Sequence, residues 1–362
     1  MQKKVLGVLK RIGALIIILT LLFAFALFSF KTANTYKYSL KGEEAYFYEG
    51  YLKIGDIDQF VRIKGGNKNN QVMLFLHGGP GNPLSCVSYT FAEELYGDFT
   101  VCEIDERGSG RTYEKNHELP TFELLLQDID ELTDYLLKEF KINKIILAGY
   151  SFGSAIGLKY AQLHPQKISA YIGIGQCVNM KSALKISYEK YLAEQNPPLE
   201  DYSLLLKGNA SAEESIKAYL SVKNKIESAS DKSFQKDGLW YFLSALTGPY
   251  TDFTDLSWKM KQTLFLDEYI SSQKELLEYL YTEFDAYDVK SLNCPAYFIT
   301  GENDAVCPPE LTQDFASSLS APYVSFVTVK KAGHSVMFDN AEAFRQAVKS
   351  AAGSRTGEIL AE

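Results

Sequence analysis

Lys144-Ile145-Ile146-Leu147-Ala148-Gly149-Tyr150-Ser151-Phe152-Gly153-Ser154-Ala155-Ile156-Gly157-Leu158 is the stretch from which the fold can be read. Its first half is a continuous apolar run, as expected of a buried strand. Its second half, to Tyr160-Ala161, reads as a helix. Between them lies Gly149-x-Ser151-x-Gly153, a serine at a sharp strand-to-helix turn. Such a turn projects the hydroxyl above the sheet. A glycine two residues away on each side lets the strand and helix backbones pass closely. The helix N-terminus aims free N–H groups at whatever the serine attacks.

Working outward, the 362 residues fit one α/β domain with an insertion and a leading segment. Apolar residues make up 46% of the chain, enough for a large core. The five cysteines, Cys86, Cys102, Cys177, Cys294 and Cys307, form no C-x-x-C pair. The odd count speaks against a disulfide framework and the spacing against a zinc site. No metal or organic cofactor is expected. Net charge is −8, but residues 1–31 hold Lys3, Lys4, Lys10, Arg11 and Lys31 and no acid. The rest carries 32 of the 37 basic residues and all 45 acidic ones, a net −13. So acidic a body disfavours nucleic acid as a partner.

Ile12 to Phe30 is 19 residues without a charge. As a helix it spans about 28 Å, close to the hydrocarbon thickness of a bilayer. Four cations precede it, which predicts a cytoplasmic N-terminus and an external body. A cleaved signal peptide is the rival; Lys31-Thr32-Ala33 is a poor cleavage site for one. The expectation is a single-pass cell-membrane protein with its catalytic domain outside. Residues 32–45 read as a linker.

Tyr51–Ile54 and Gln59–Ile63 alternate and predict an antiparallel hairpin at a sheet edge. Val72–Leu76 is a buried strand running into His77-Gly78-Gly79-Pro80-Gly81. Phe99–Ile104 is the next strand. Asp105-Glu106-Arg107-Gly108-Ser109-Gly110-Arg111-Thr112 follows it. That stretch lacks the spacing of a dinucleotide fingerprint, and no helix is expected to open there. Thr121–Phe140 is an amphipathic helix, and Ile168–Ile174 a strand. Alternating βα units predict a mostly parallel, doubly wound sheet. From about Asn179 to Asp288 the pattern turns helical and aromatic, with Trp240 and Trp258, and reads as a cap. Most of its aromatics are expected to pack the cap and a minority to line a pocket. The core resumes with strand Pro295–Thr300, helix Pro309–Leu319, strand Tyr323–Val329 and a closing helix from Asn340.

Ser151, Asp304 and His334 occur in the order Ser…Asp…His, each just after a predicted strand. In a parallel sheet that puts all three on one edge. This is the order of the α/β-hydrolase fold. His334 would take the Ser151 proton, and Asp304 would hold the imidazole tautomer. Glu302 and Asp339 are rivals for the acid. His77 belongs to the glycine-rich loop, while His117 and His164 sit in polar or helix-end positions. The N–H groups of Gly79 and Phe152 are the expected oxyanion donors.

His77-Gly78-Gly79-Pro80-Gly81, Asp105–Thr112 and Gly149–Ser154 resemble the proline iminopeptidase family of α/β-hydrolases, with its HGGPG, DQRGxGRS and GGSWGS patterns. Gly301-Glu302-Asn303-Asp304 and Ala332-Gly333-His334 fit as well. The resemblance covers roughly residues 70–175 and 290–350. It implies the fold, a serine nucleophile, an acyl-enzyme, and release of N-terminal residues from small peptides. It departs at Glu106, where that family usually has Gln, and at Tyr150 and Phe152. The Trp-Glu pair of that family's cap is also absent. A free α-amine needs a carboxylate; Glu106 is the first candidate and Glu189 the second. The other reading of Glu106 is a salt bridge to Arg107 or Arg111. A carboxylester hydrolase is the alternative activity, and a catalytically silent binding protein a lesser one. The expected organisation is a membrane anchor over 1–35, hydrolase core over 36–178 and 289–362, and helical cap over 179–288. The oligomeric state is not legible.

Overall fold

A strand that is apolar along its whole length must be covered on both faces, and the architecture supplies that cover. The computed structural model describes residues 2–353, apart from 94, 195–198, 208–210 and 231–232. The chain opens with helix α1 (Gln2–Lys37), then strands β1 (Tyr46–Ile54), β2 (Ile57–Gly65) and β3 (Gln71–Leu76). A short helix α2 (Tyr89–Ala92) leads to β4 (Phe99–Ile104), α3 (Gly110–Asn116) and α4 (Phe122–Phe140). The central unit is β5 (Ile145–Tyr150), α5 (Phe152–Leu163) and β6 (Ile168–Ile174). Described residues 180–288 are helical: α6 (Met180–Leu192), α7 (Glu200–Lys207), α8 (Ala212–Ala229), α9 (Gly238–Thr247), α10 (Phe253–Leu264), α11 (Leu266–Ser272) and α12 (Lys274–Glu278), with a π turn and a 3-10 turn after them. Then come β7 (Ala296–Gly301), α13 (Pro309–Ser318), β8 (Val324–Val329), α14 (Val336–Asp339) and α15 (Ala341–Gly353).

Among the described residues, eight strands form one sheet in the order β1-β2-β4-β3-β5-β6-β7-β8. β1 and β2 pair antiparallel, as do β2 and β4; the other neighbours are parallel. The C-terminal ends of β3 to β8 therefore share one edge. α4 and α5 lie on one face with Leu132, Leu136 and Ile156 fully buried, and α2 and α15 on the other with Phe91 and Phe344.

Two local expectations change. The polar stretch after the apolar run does not break the helix: no Gly or Pro occurs between Thr32 and Lys41, and α1 continues to Lys37. A helix does open at Gly110, because the Asp105 carboxylate accepts the Arg111 N–H at 3.0 Å and stands in for a cap. The hairpin expected at a sheet edge forms there, with β1 as the edge strand and β2 as its inner partner. The polar side chains of β2 are buried: Arg62 lies over the Tyr250 ring, and Lys64 donates to the Tyr250 hydroxyl at 2.7 Å.

Candidate active site

The elbow has the geometry its glycines require. Ser151 has φ 52° and ψ −122°, a strained backbone costing on the order of 1–3 kcal/mol. Its own peptide groups hold it there. Its N–H donates to Ile174 O at 2.8 Å, and its carbonyl accepts from the Ser154 N–H at 2.8 Å and hydroxyl at 2.6 Å. A Cβ on Gly149 would stand 2.3 Å from Gly153 O, and one on Gly153 2.5 Å from His77 O. Neither position admits a side chain.

Three strand ends converge on this serine. His334, in the loop after β8, brings Nε2 to 2.9 Å from Ser151 Oγ. Its Nδ1 lies 3.0 and 2.9 Å from the two carboxylate oxygens of Asp304, in the loop after β7. Asp304 is buried, and its Oδ1 also accepts the N–H groups of Val306 at 2.9 Å and Cys307 at 2.8 Å. Three donors, His334 Nδ1 and two backbone N–H groups, thus meet on this one buried carboxylate. The rivals are engaged elsewhere: Glu302 accepts the Lys331 N–H, and Asp339 those of Lys236 and Gly333.

The glycine-rich loop after β3 passes beside the elbow. Gly79 has φ +129° and lines the same cleft as Ser151 and His334. Phe152 is fully buried, and its N–H belongs to the unpaired first turn of α5. His77 anchors the loop: its Nε2 accepts the Glu106 N–H at 3.2 Å, and burial pushes its pKa down to about 4. It is neutral and carries no charge to the cleft.

A family model described as the alpha/beta hydrolase fold matches residues 71–341. The chain belongs to the α/β-hydrolase fold family. This hydrolase is 28% identical over 291 residues to the probable aminopeptidase YbaC of Bacillus subtilis (strain 168), across 78% of this chain and 89% of that protein. It is 34% identical over 137 residues to the proline iminopeptidase of Neisseria gonorrhoeae, across 36% of this chain and 41% of that protein. Among solved structures it is similar to the proline iminopeptidase-related protein from Thermus thermophilus, with TM-score 0.57 and 22% identity, covering 85% of this chain and 98% of that one. The chain is thus a proline iminopeptidase-like α/β-hydrolase.

The cleft of this hydrolase has a volume of about 290 Å³. The cap closes it with Tyr219, Tyr269 and Tyr281, while both tryptophans pack elsewhere. Trp258 is fully buried and donates to Gly81 O at 2.9 Å. A second cavity of about 520 Å³ lies between α6, α7 and α8, beyond the stacked Tyr219–Tyr281 pair.

The two expected amine-binding carboxylates are not brought to the cleft. Glu189 sits on the exposed face of α6. Glu106 is buried behind the glycine-rich loop, with Oε1 lacking a hydrogen-bond partner and Oε2 3.8 Å from His77 Nε2. Burial, then the charges of Asp105 and Asp128, raise its pKa well above the ordinary carboxylate value. The alternative pairing also fails, because both arginines have other acids. Arg107 makes a two-pronged contact with Asp128 of α4, both bonds at 2.9 Å. Arg111 does the same with Asp255 of α10, at 3.1 and 2.6 Å. The Asp105–Thr112 stretch is therefore a clasp joining the sheet to α4 and to the cap.

Sequence reasoning missed Lys223, which lines the cleft from α8 and pairs with Glu227 one turn on at 2.9 Å. It also missed Gly175, with φ +52°, where a Cβ would come within 3.1 Å of His334 Cε1. Its position directly after the apolar run Ile168–Ile174 was the available signal. Tyr150 completes the histidine's packing, its ring 5.3 Å from the imidazole and its hydroxyl 3.0 Å from Ser335 Oγ.

Proposed function

We propose that Ser151 is the nucleophile of an acyl-transfer hydrolysis, with His334 as general base and Asp304 as its orienting partner. The observation that carries this is the 2.9 Å contact between His334 Nε2 and Ser151 Oγ, with Nδ1 facing a buried, hydrogen-bonded carboxylate. Ser151 Oγ attacks the scissile carbonyl while its proton passes to Nε2. The N–H groups of Gly79 and Phe152 receive the oxyanion. The imidazolium returns the proton to the leaving group, leaving an acyl-serine. Water, deprotonated by the same nitrogen, then releases the acid and frees Ser151. A fluorophosphonate probe tests this, since only an activated serine reacts. Labelling of the native enzyme and none of Ser151→Ala is expected; full labelling of the variant would overturn the assignment.

For substrate, the likeness to a probable aminopeptidase and to proline iminopeptidases supports release of N-terminal residues from small peptides. Glu227 does not itself line the cleft, but it pairs with cleft-lining Lys223 at 2.9 Å and is the carboxylate this reading would use for the free amine, exchanging Lys223 for the substrate's ammonium. One observation favours the second reading, a carboxylester hydrolase: among the described residues lining the cleft there is no Asp or Glu, only Lys223 and His334 as ionisable bases. Proline-β-naphthylamide against short p-nitrophenyl esters separates the two. Preference for N-blocked or ester substrates would replace the aminopeptidase reading.

We further propose that α1 crosses the membrane once, with the hydrolase outside. It is long and apolar enough to do so and lies unburied, and four cations precede its apolar run Ile12–Phe30. Protease added to intact cells should degrade the body. Degradation only after lysis would reverse the orientation.

A further inference from the structure

The point at which α1 leaves its apolar stretch is pinned to the cap. Lys31 Nζ donates to Thr251 O at 2.5 Å, and Asn34 Nδ2 donates to Thr247 O at 2.9 Å. One turn on, Tyr38 O accepts from buried Lys64 at 2.6 Å and from the Tyr250 hydroxyl at 3.2 Å. Helix α9 packs alongside α1. The last residue of the apolar run, Phe30, immediately precedes Lys31. The 247–251 loop between α9 and α10 is therefore held at the level where the run ends.

That same region carries an unusual surface. Outside α1, more than half of the exposed large apolar side chains among the described residues fall between 239 and 266. Leu239, Phe242 and Leu243 form one stripe of α9, at i, i+3 and i+4. Phe253, Met260 and Leu264 form one stripe of α10, at i, i+7 and i+11. Phe253 is 83% exposed and Leu264 69%. The opposite side of α10 is committed inward, through Trp258 and Gln262 to Gly81 O. Elsewhere exposed residues such as Leu119, Leu163 and Leu206 occur singly, as on any soluble surface.

We infer that this face of α9 and α10 lies on the lipid bilayer, at the headgroup level of the leaflet from which α1 emerges. The inference rests on reading α1 as a membrane span. Distance supports it. Phe253 is two residues from Thr251, at most about 7 Å of chain. The interfacial zone on each side of the hydrocarbon is about 5–8 Å thick. A phenylalanine tethered that closely to the end of a span reaches lipid unless another protein covers it. Burying a side chain of this size is worth about 1.5–3 kcal/mol. The partner is thus a lipid surface, met by an apolar helix face as interfacial helices do, and α10 couples that surface to the loop that carries Gly79.

The five native cysteines are all buried, so introduced ones can be labelled selectively. The full chain is reconstituted in phosphatidylethanolamine–phosphatidylglycerol vesicles, with an environment-sensitive fluorophore at Phe253→Cys, Leu264→Cys, Leu206→Cys or Leu22→Cys. Quenching by lipids bearing a shallow or a deep nitroxide is then read. Labels at 253 and 264 should be blue-shifted and quenched several-fold more than the label at 206, chiefly by the shallow nitroxide. The label at 22 should be quenched by the deep one. Labels at 253 and 264 as wet and unquenched as that at 206, with 22 still quenched, would overturn the inference and leave the span standing. Labels at 253 and 264 that are blue-shifted but unquenched would mean a second copy covers the face, which also overturns it. An unquenched label at 22 would remove the span, and the inference with it.

Discussion

Two strand ends of the same sheet carry buried acids and treat them oppositely. At the end of β7, Asp304 is buried among donors: two N–H groups and the His334 ring. At the end of β4, Asp105 has one N–H donor, and Glu106 offers an oxygen with none. Burial alone penalises a carboxylate; donors decide whether it stays charged. Burial raises the Asp105 pKa to about 7 and that of Glu106 well above the ordinary carboxylate value. The first site fits the proposed role of steadying an imidazolium, the second the holding of a loop. Motif density does not separate them, since both lie in glycine-rich stretches after core strands.

The sharpest way to test the first site is Ser151→Ala. Hydrolysis should fall by about 10⁴–10⁶-fold, to what the oxyanion donors and binding alone supply, with the melting temperature little changed. Asp304→Asn probes the donors directly. The amide must turn either its NH₂ toward His334, leaving the wrong tautomer, or toward the two N–H groups. A loss in kcat of about 10³–10⁴-fold is expected, read on whichever substrate the native enzyme prefers. Activity within tenfold of native would mean that His334 does not depend on this carboxylate.

A third acid lies between these extremes. Glu227→Gln should reduce kcat/KM on free-amine substrates by roughly tenfold to a hundredfold, the worth of a hydrogen bond to a charged group. Simple esters should be almost unaffected. An equal loss on both would make the Lys223–Glu227 pair structural.

Glu106→Gln should give the smallest effect on activity, below about threefold and equal on amines and esters. Its signature is pH. A carboxyl whose folded pKa is raised contributes stability below the unfolded pKa and loses it as pH rises toward the folded one. For Asp105 that window runs from 3.8 to about 7; for Glu106 it opens at 4.5 and extends well above. The melting temperature of Glu106→Gln relative to native should therefore become more favourable between pH 5 and pH 8. A difference independent of pH would mean Glu106 is ionised in the fold.

The core was largely legible because its signals are local. A continuous apolar run, a strand–turn–helix glycine spacing and the Ser…Asp…His order each need only neighbouring residues or chain order. What stayed hidden depends on contacts across the fold. Nothing near Glu106 reveals that Arg107 and Arg111 are claimed by Asp128 and Asp255, 21 and 144 residues away. Gln at this position in the resembled family fits a neutral side chain here. Lys223 carries no motif, and only the packing of α8 brings it to the cleft. The hairpin at the sheet edge was legible from alternation, whereas the burial of Arg62 and Lys64 under the Tyr250 loop was not.

The stitching of α10 and Gln273 to the loops beside Ser151 bears on how material can enter and leave. Gly81 O accepts from both Trp258 and Gln262, Pro83 O from Lys259, and Gly108 O from Gln273. If the whole cap swung outward as one gate, it would tear these bonds and pull on the loop that carries Gly79. An open gate would then also displace Gly79, the proposed oxyanion donor. The stacked Tyr219–Tyr281 pair lies between the Ser151 cleft and the larger cavity among α6, α7 and α8, so an opening on that side would leave all these bonds intact.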